Sequence, residues 1–389
     1  MKLIIPFVVV IFFTLFVGCK TPSIALLQSE IDGISSRWVP DESVGICNLT
    51  LEKGRGKNVT LKGESLSPEA KTEVLQLLTG KGLSVTDSVL VLPDTIHLEK
   101  NWGVISVSVA NLRSRSSHSA ELVSQAIMGT PVHILKEDDG WLLIQTPDRY
   151  IAWTNQSSIH LMSRSEMIEW RNTERIMFTG SYGTVYGDSL QKIVMGDLVA
   201  GAIVAKISEN SKTLKISLPD GRSGYVSNLN WQNFKQWKDT VTFVPENLIY
   251  CGKQFLGFPY MWGGTSSKAL DCSGFVETVC FLNGYVFERD ASQQMNHGIE
   301  VDVSSGWDKL RKGDMLFFGS KQPLRVIHVG MYIGDGEVIH SSGSVRINSL
   351  DKLRDNYSNY LTSTLLGARR IAGLLPEQGF LPVKLHNWY

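Results

Sequence analysis

The sequence predicts an α+β protein of several domains: a C-terminal domain in which a helix precedes a sheet, two small closed β-barrels ahead of it, and a short helical segment near the N-terminus. Three observations carry that expectation. Phe275, Val276, Val279, Phe281 and Leu282 recur at helical spacing and Asn283-Gly284 supplies a stop, so a helix opens near Cys272. Val326 to Ile333, a Gly334-Asp335-Gly336 turn, and Glu337 to His340 read as a hairpin. Between Asn111 and Val226, short apolar runs joined by Gly/Asp turns form a faint repeat, which argues for small closed barrels.

The elements follow in chain order. After Lys2 an apolar run extends from Ile4 to Val17. It is shorter than the roughly twenty residues a spanning helix needs and suits the core of a signal peptide over residues 1–18. Gly18-Cys19-Lys20 resembles a bacterial lipoprotein processing site, with lipid carried on Cys19. Phe16 stands where leucine is usual, which leaves plain secretion open. The expected location is the bacterial cell envelope, periplasm or outer membrane, with the membrane reached through the lipid. In residues 20–95, Ser67-Pro68-Glu69 followed by Val74, Leu75, Leu77 and Leu78 reads as a capped helix, and the rest of the segment is hard to read.

Residues 96–162 form the first barrel, from Asn111-Leu112-Arg113-Ser114, Met128 to Leu135, an Asp138-Asp139-Gly140 turn, Trp141 to Gln145, and Tyr150-Ile151-Ala152-Trp153. Residues 163–235 form the second, more weakly, from Met195-Gly196-Asp197-Leu198-Val199 and Pro219-Asp220-Gly221 to Val226. Trp231 to Val244 reads as a linker into the last domain, residues 240–389.

Composition sets bounds. A chain of 389 residues accommodates three domains, and 38 basic against 38 acidic residues give no support to nucleic-acid binding or to charge-driven membrane attachment. Ten tryptophans and 43% hydrophobic residues indicate folded, well-cored domains. Outside the cytosol Cys47, Cys251 and Cys280 could pair, but three thiols besides Cys272 cannot all pair with one another, and no structural disulfide is expected.

The chemistry centres on Cys272. Only a thiolate attacks, and free N–H groups with the macrodipole at a helix N-terminus favour an anion there. A nearby imidazole would lower the thiol pKa further and shuttle protons. If the hairpin loop has three residues, position 328 faces 342. His340 is then the diagonal neighbour of His328 on the same face, roughly 7–8 Å between Cα atoms. A slip of one residue would separate them. His328 is therefore the expected base and His340 the residue that orients it. A buried inert thiol and two core or solvated histidines are the competing readings. A zinc site is disfavoured because no second cysteine stands at ligand spacing, so neither metal nor cofactor is expected.

Asp271-Cys272-Ser273-Gly274-Phe275, Arg289-Asp290-Ala291-Ser292-Gln293-Gln294, Lys312 to Phe318, His328-Val329-Gly330 and Ile339-His340-Ser341-Ser342-Gly343 together resemble the NlpC-type cysteine peptidases, in that family's order and over about the last third of the chain. The resemblance implies a papain-like fold and cleavage of bacterial cell-wall peptides next to D-glutamate. It implies Cys272 as nucleophile, His328 as base and His340 as orienting residue, with Asp271, Ser273, Asp290, Tyr260 and Trp262 lining the substrate site. Relatives often carry serine where Ala291 stands, so that hydroxyl is missing or supplied by Ser292. The barrels look like bacterial SH3-like domains. In relatives of this layout the first one closes the cleft and selects a free N-terminal L-alanine, which here assigns Tyr150 and Glu121 to the substrate. The implied reaction releases L-Ala-D-Glu from L-Ala-γ-D-Glu-L-diamino acid peptides. An amidase or transpeptidase using the same triad, and a non-catalytic wall-binding lipoprotein, remain the alternatives. Lysine against diaminopimelate at the third position, and the oligomeric state, are left open.

Overall fold

The computed structural model describes residues 23–389; the expected signal peptide and Cys19 lie outside the described residues. The chain divides into two compact units.

The first unit, residues 23–42 with 46–91, sets three strands beside the expected helix and adds a second helix. Strands Cys47–Lys53 and Asn58–Ser65 pair antiparallel, and Ser84–Val91 joins the second of them in parallel. The crossover is the helix Pro68–Gly80, started as its sequence implies: Ser67 caps it by accepting from the Ala70 N–H at 3.0 Å, and Pro68 occupies the first turn. Leu27 and Ile31 of a second helix, Ile24–Trp38, close the core with Leu61, Val74 and Leu78.

The second unit holds both barrels and the C-terminal domain. Number the strands of each barrel along the chain. The first barrel is Trp102–Ile105, Val109–Arg113, Leu122–Ile127, Pro131–Asp138, Trp141–Gln145, Ile151–Asn155 and Ile159–Met162. The second is Arg175–Phe178, Tyr182–Tyr186, Val194–Val199, Ile203–Glu209, Thr213–Ser217, Ser223–Ser227 and Trp231–Asn233. Both sheets then read 7-1-4-5-6-2-3, one of them taken in the reverse direction. The repeat is thus real at the level of topology, but its sequence alignment shifts. Met195-Gly196 lies in the third strand, whereas Met128-Gly129 precedes the fourth, where the second barrel has Gly201. Gly129 and Gly201 share φ values of 87° and 86°. The better match is the turn between strands five and six, Pro147-Asp148-Arg149 against Pro219-Asp220-Gly221, whose last residues sit at φ 75° and 85°. The expected linker is structured: Trp231–Asn233 is the seventh strand, and the helix Phe234–Thr240 follows with Phe234 and Trp237 buried.

The C-terminal domain is a six-stranded antiparallel sheet in the order Ile299–Val301, Leu365–Arg370, Met315–Lys321, Leu324–Gly334, Glu337–Ser342, Ser344–Ser349. Helix Cys272–Leu282 packs on its central strands, burying Phe275 and Val279 against Phe317, Val329 and Met331. The hairpin after His328 pairs Met331 with Ile339 and Tyr332 with Val338, the register a three-residue loop implies. The loop itself differs. Gly334 pairs with Glu337 across a two-residue Asp335-Gly336 turn, both at positive φ, and a bulge at Ile333 restores the count.

Candidate active site

Asp271 caps the helix that opens with Cys272, its Oδ1 accepting from the Gly274 N–H at 2.7 Å. The same carboxylate takes the Gly263 N–H on Oδ2 at 2.9 Å and both terminal nitrogens of Arg289. Arg289 is 2% exposed and also donates to Ser273 Oγ at 2.9 Å and to Ser124 Oγ of the first barrel at 3.1 Å. Burying this guanidinium is tolerable because nearly every donor finds an oxygen. Asp271 and Ser273, expected at the substrate, form with Arg289 the clamp that fixes the start of the helix opening at Cys272.

Strand Leu324–Gly334 brings its histidine over that helix end. His328 Nε2 lies 2.8 Å from His340 Nδ1, with ring centroids 4.9 Å apart and planes at 82°. His340 Nε2 lies 3.0 Å from Asn348 Oδ1, while Asn348 Nδ2 donates to the Asn356 carbonyl at 2.9 Å. That last bond sets the direction of the whole chain. Asn348 offers oxygen to His340, so His340 carries its proton on Nε2 and accepts on Nδ1. His328 then carries its proton on Nε2, leaving the Nδ1 lone pair for the thiol. Asn348 escaped sequence reasoning because a lone asparagine in a strand has no signature; its place opposite the hairpin is set by pairing of Val338 with Asn348. Room for His340 comes from Gly330, where an added Cβ would fall 3.0 Å from His340 Cβ and 2.7 Å from Val338 Cγ1.

Electrostatics depart from the expectation of a lowered thiol pKa. Burial pushes the Cys272 thiol up to about 11, and the Asp271 charge adds to this; the Val329 and Ser273 backbone groups and Arg289 offset only part. Burial and then His340 push His328 down to about 3. Burial alone opposes either charge, so the resting pair is thiol and neutral imidazole. Burial also raises the Tyr260 phenol to about 12, with Cys272 and Asp271 adding to it.

The sulfur opens into a cleft of about 470 Å³. Asp271, Cys272, Ser273, Asp290 and Trp262 line it from the C-terminal domain, and Glu121 and Tyr150 from the first barrel. Tyr260, expected at the substrate, and the two histidines are not among the residues that line it. Trp262 Nε1 donates to Glu121 Oε1 at 2.9 Å, and Tyr150 belongs to the barrel core while facing the cleft. The barrel is held there by Gln125, whose Oε1 accepts from Thr265 N at 3.2 Å and Ser266 Oγ at 3.0 Å. Gly263 allows the close approach, since a Cβ there would meet the Leu122 carbonyl oxygen at 2.6 Å. Ala291 and Ser292 both line the cleft. All four described cysteines carry free thiols; burial raises Cys251 to about 12 and pushes Cys280 well above the ordinary thiol range, as befits inert core thiols.

A cysteine at a helix N-terminus, facing an antiparallel sheet that carries an ordered pair of histidines, defines a papain-like thiol hydrolase. Comparison with known proteins narrows the class. The NlpC/P60 family model matches residues 257–370, and a bacterial dipeptidyl-peptidase Sh3 domain matches residues 112–159. The probable endopeptidase NlpC of Escherichia coli is 34% identical over 119 residues, 30% of this chain and 70% of that protein. A gamma-D-glutamyl-L-lysine dipeptidyl-peptidase of Bacillus cereus is 29% identical over 263 residues, 65% of this chain and 76% of the other. The crystal structure of an NlpC/P60 family protein from Bacillus cereus aligns with TM-score 0.59 at 25% identity, covering 70% of this chain and 99% of that one. The chain belongs to the NlpC/P60 family of cysteine peptidases.

Proposed function

We propose that this peptidase hydrolyses the bond between the γ-carboxyl of D-glutamate and the following L-diamino acid in L-Ala-γ-D-Glu-L-diamino acid peptides of the cell wall, releasing L-Ala-D-Glu. The observation that carries the reading is the shared cleft: Glu121 and Tyr150 of the first barrel line it together with Cys272. A carboxylate on the cleft wall is the natural partner of an ammonium group, which favours a peptide with a free N-terminus. The name of the Bacillus cereus relative supports the same bond.

In the proposed reaction the Cys272 proton passes to His328 Nδ1 as Sγ attacks the γ-carbonyl carbon. Backbone N–H groups at the helix N-terminus meet the oxyanion. The imidazolium returns its proton to the departing amine, and water, deprotonated by the same imidazole, opens the thioester. Export through residues 1–18, with lipid on Cys19, places the enzyme in the cell envelope in this reading. Replacement of Cys272 by alanine, or of His328 by alanine, is expected to abolish release of L-Ala-D-Glu from a defined muropeptide. Substantial dipeptide release by Cys272→Ala would overturn the assignment.

A further inference from the structure

Two guanidinium groups line the cleft. Arg289 is buried and spends its donors on Asp271, Ser273 and Ser124. Arg325 is exposed, and it makes no side-chain hydrogen bond or ion pair among the described residues. It precedes Val326 and Ile327, which line the cleft with it, on the strand Leu324–Gly334 that carries His328 three residues further on.

Its position relative to the chemistry identifies what it faces. Glu121 and Tyr150 share the cleft lining with Arg325, and the function proposed above gives them the acyl segment. His328 must hand its proton to the departing amine, so the departing residue lies on the side of His328 and of the strand leading to it. Under the function proposed above, that residue is the diamino acid. The two common forms differ in charge at the end of the side chain: lysine ends in an ammonium group, whereas diaminopimelate adds a carboxylate beside its second amine. A solvent-facing, unpaired guanidinium repels the first and can fork onto the second. We propose that Arg325 is a specificity-determining residue that selects peptides whose third residue carries a side-chain carboxylate, the diaminopimelate type over the lysine type. Ile327, 50% exposed, supplies apolar contact for the methylenes common to both side chains.

The inference rests on the γ-glutamyl reading, and the test separates the two. Three peptides L-Ala-γ-D-Glu-X, all amidated at the C-terminus, would carry X as meso-diaminopimelate, its side-chain carboxamide, or L-lysine. C-terminal amidation removes the main-chain carboxylate as a rival partner. The wild type should prefer the first by about tenfold in kcat/KM, the scale of one charge-assisted, solvent-accessible contact. Arg325→Gln should lower the first about tenfold and move the other two by less than about threefold, which also reports an intact fold. Equal losses on all three, or unchanged ratios, would overturn the role of Arg325 alone. Failure of the wild type to cleave any of them would overturn the γ-glutamyl reading and this inference with it.

Discussion

Replacing Asn348 by leucine should damage catalysis without touching the cleft. The His340 Nε2–H, 3.0 Å from Asn348 Oδ1 on a ring that is 3% exposed, would lose its acceptor. A buried unsatisfied donor costs about 1–3 kcal/mol. The ring escapes that cost by moving its proton to Nδ1, where it donates to His328 Nε2 and drives the His328 proton onto Nδ1. The base then presents a hydrogen to Cys272 instead of a lone pair. At about 1.4 kcal/mol per decade, the productive tautomer becomes rarer by about 5- to 150-fold. The assay is steady-state release of L-Ala-D-Glu, with kcat falling by that factor and KM nearly unchanged. Asn348→Asp still accepts from Nε2 but loses the hydrogen donated to the Asn356 carbonyl, so it should retain more activity than the leucine variant without matching wild type. A leucine variant as active as wild type, or an aspartate variant as impaired as the leucine one, would refute the relay.

Three further outcomes are expected. Gly330→Ala places a methyl 3.0 Å from His340 Cβ and 2.7 Å from Val338 Cγ1, so kcat should fall by about tenfold or more while circular dichroism stays native; unaltered kcat would show that His340 is free to shift. Glu121→Gln should weaken cleavage of free-amine peptides more than of N-acetylated ones, and equal effects would remove Glu121 from amine recognition. Because His328 is depressed towards about 3, the protonated, inactive base appears only well below the ordinary histidine range. The acid limb of kcat/KM should therefore lie below pH 5, and a limb near pH 6.5 would contradict the buried neutral pair. By linkage the same depression makes stability fall with decreasing pH from about 6.5 towards about 3, because the unfolded chain binds the extra proton first.

The helix start at Cys272 and the meeting of His328 with His340 were legible because they depend on local rules. A helix start positions Cys272, and strand periodicity with turn length positions the rings. The register of the hairpin came out correctly although the turn has two residues, because the bulge at Ile333 adds back the missing one. Bulges leave little trace in sequence. The neutral state of the thiol was not legible, since it follows from burial under strands that join the helix only in the fold. Arg289 and Asn348 were also hidden: a clamp reaching Ser124 across 165 residues has no local pattern. The strands of the first unit escaped for a different reason. Cys47-Asn48-Leu49-Thr50-Leu51 alternates buried and exposed, but the run is short and breaks at Gly54-Arg55-Gly56.

The central claim is that Cys272 opens the γ-glutamyl bond. The most direct measurement is mass analysis of L-Ala-γ-D-Glu-meso-diaminopimelate-D-Ala cleaved in H₂¹⁸O. The expected products are L-Ala-D-Glu carrying label in its new γ-carboxylate and unlabelled diaminopimelyl-D-Ala, with neither formed by Cys272→Ala. Label in any other carboxylate, or the same products from Cys272→Ala, would contradict the claim.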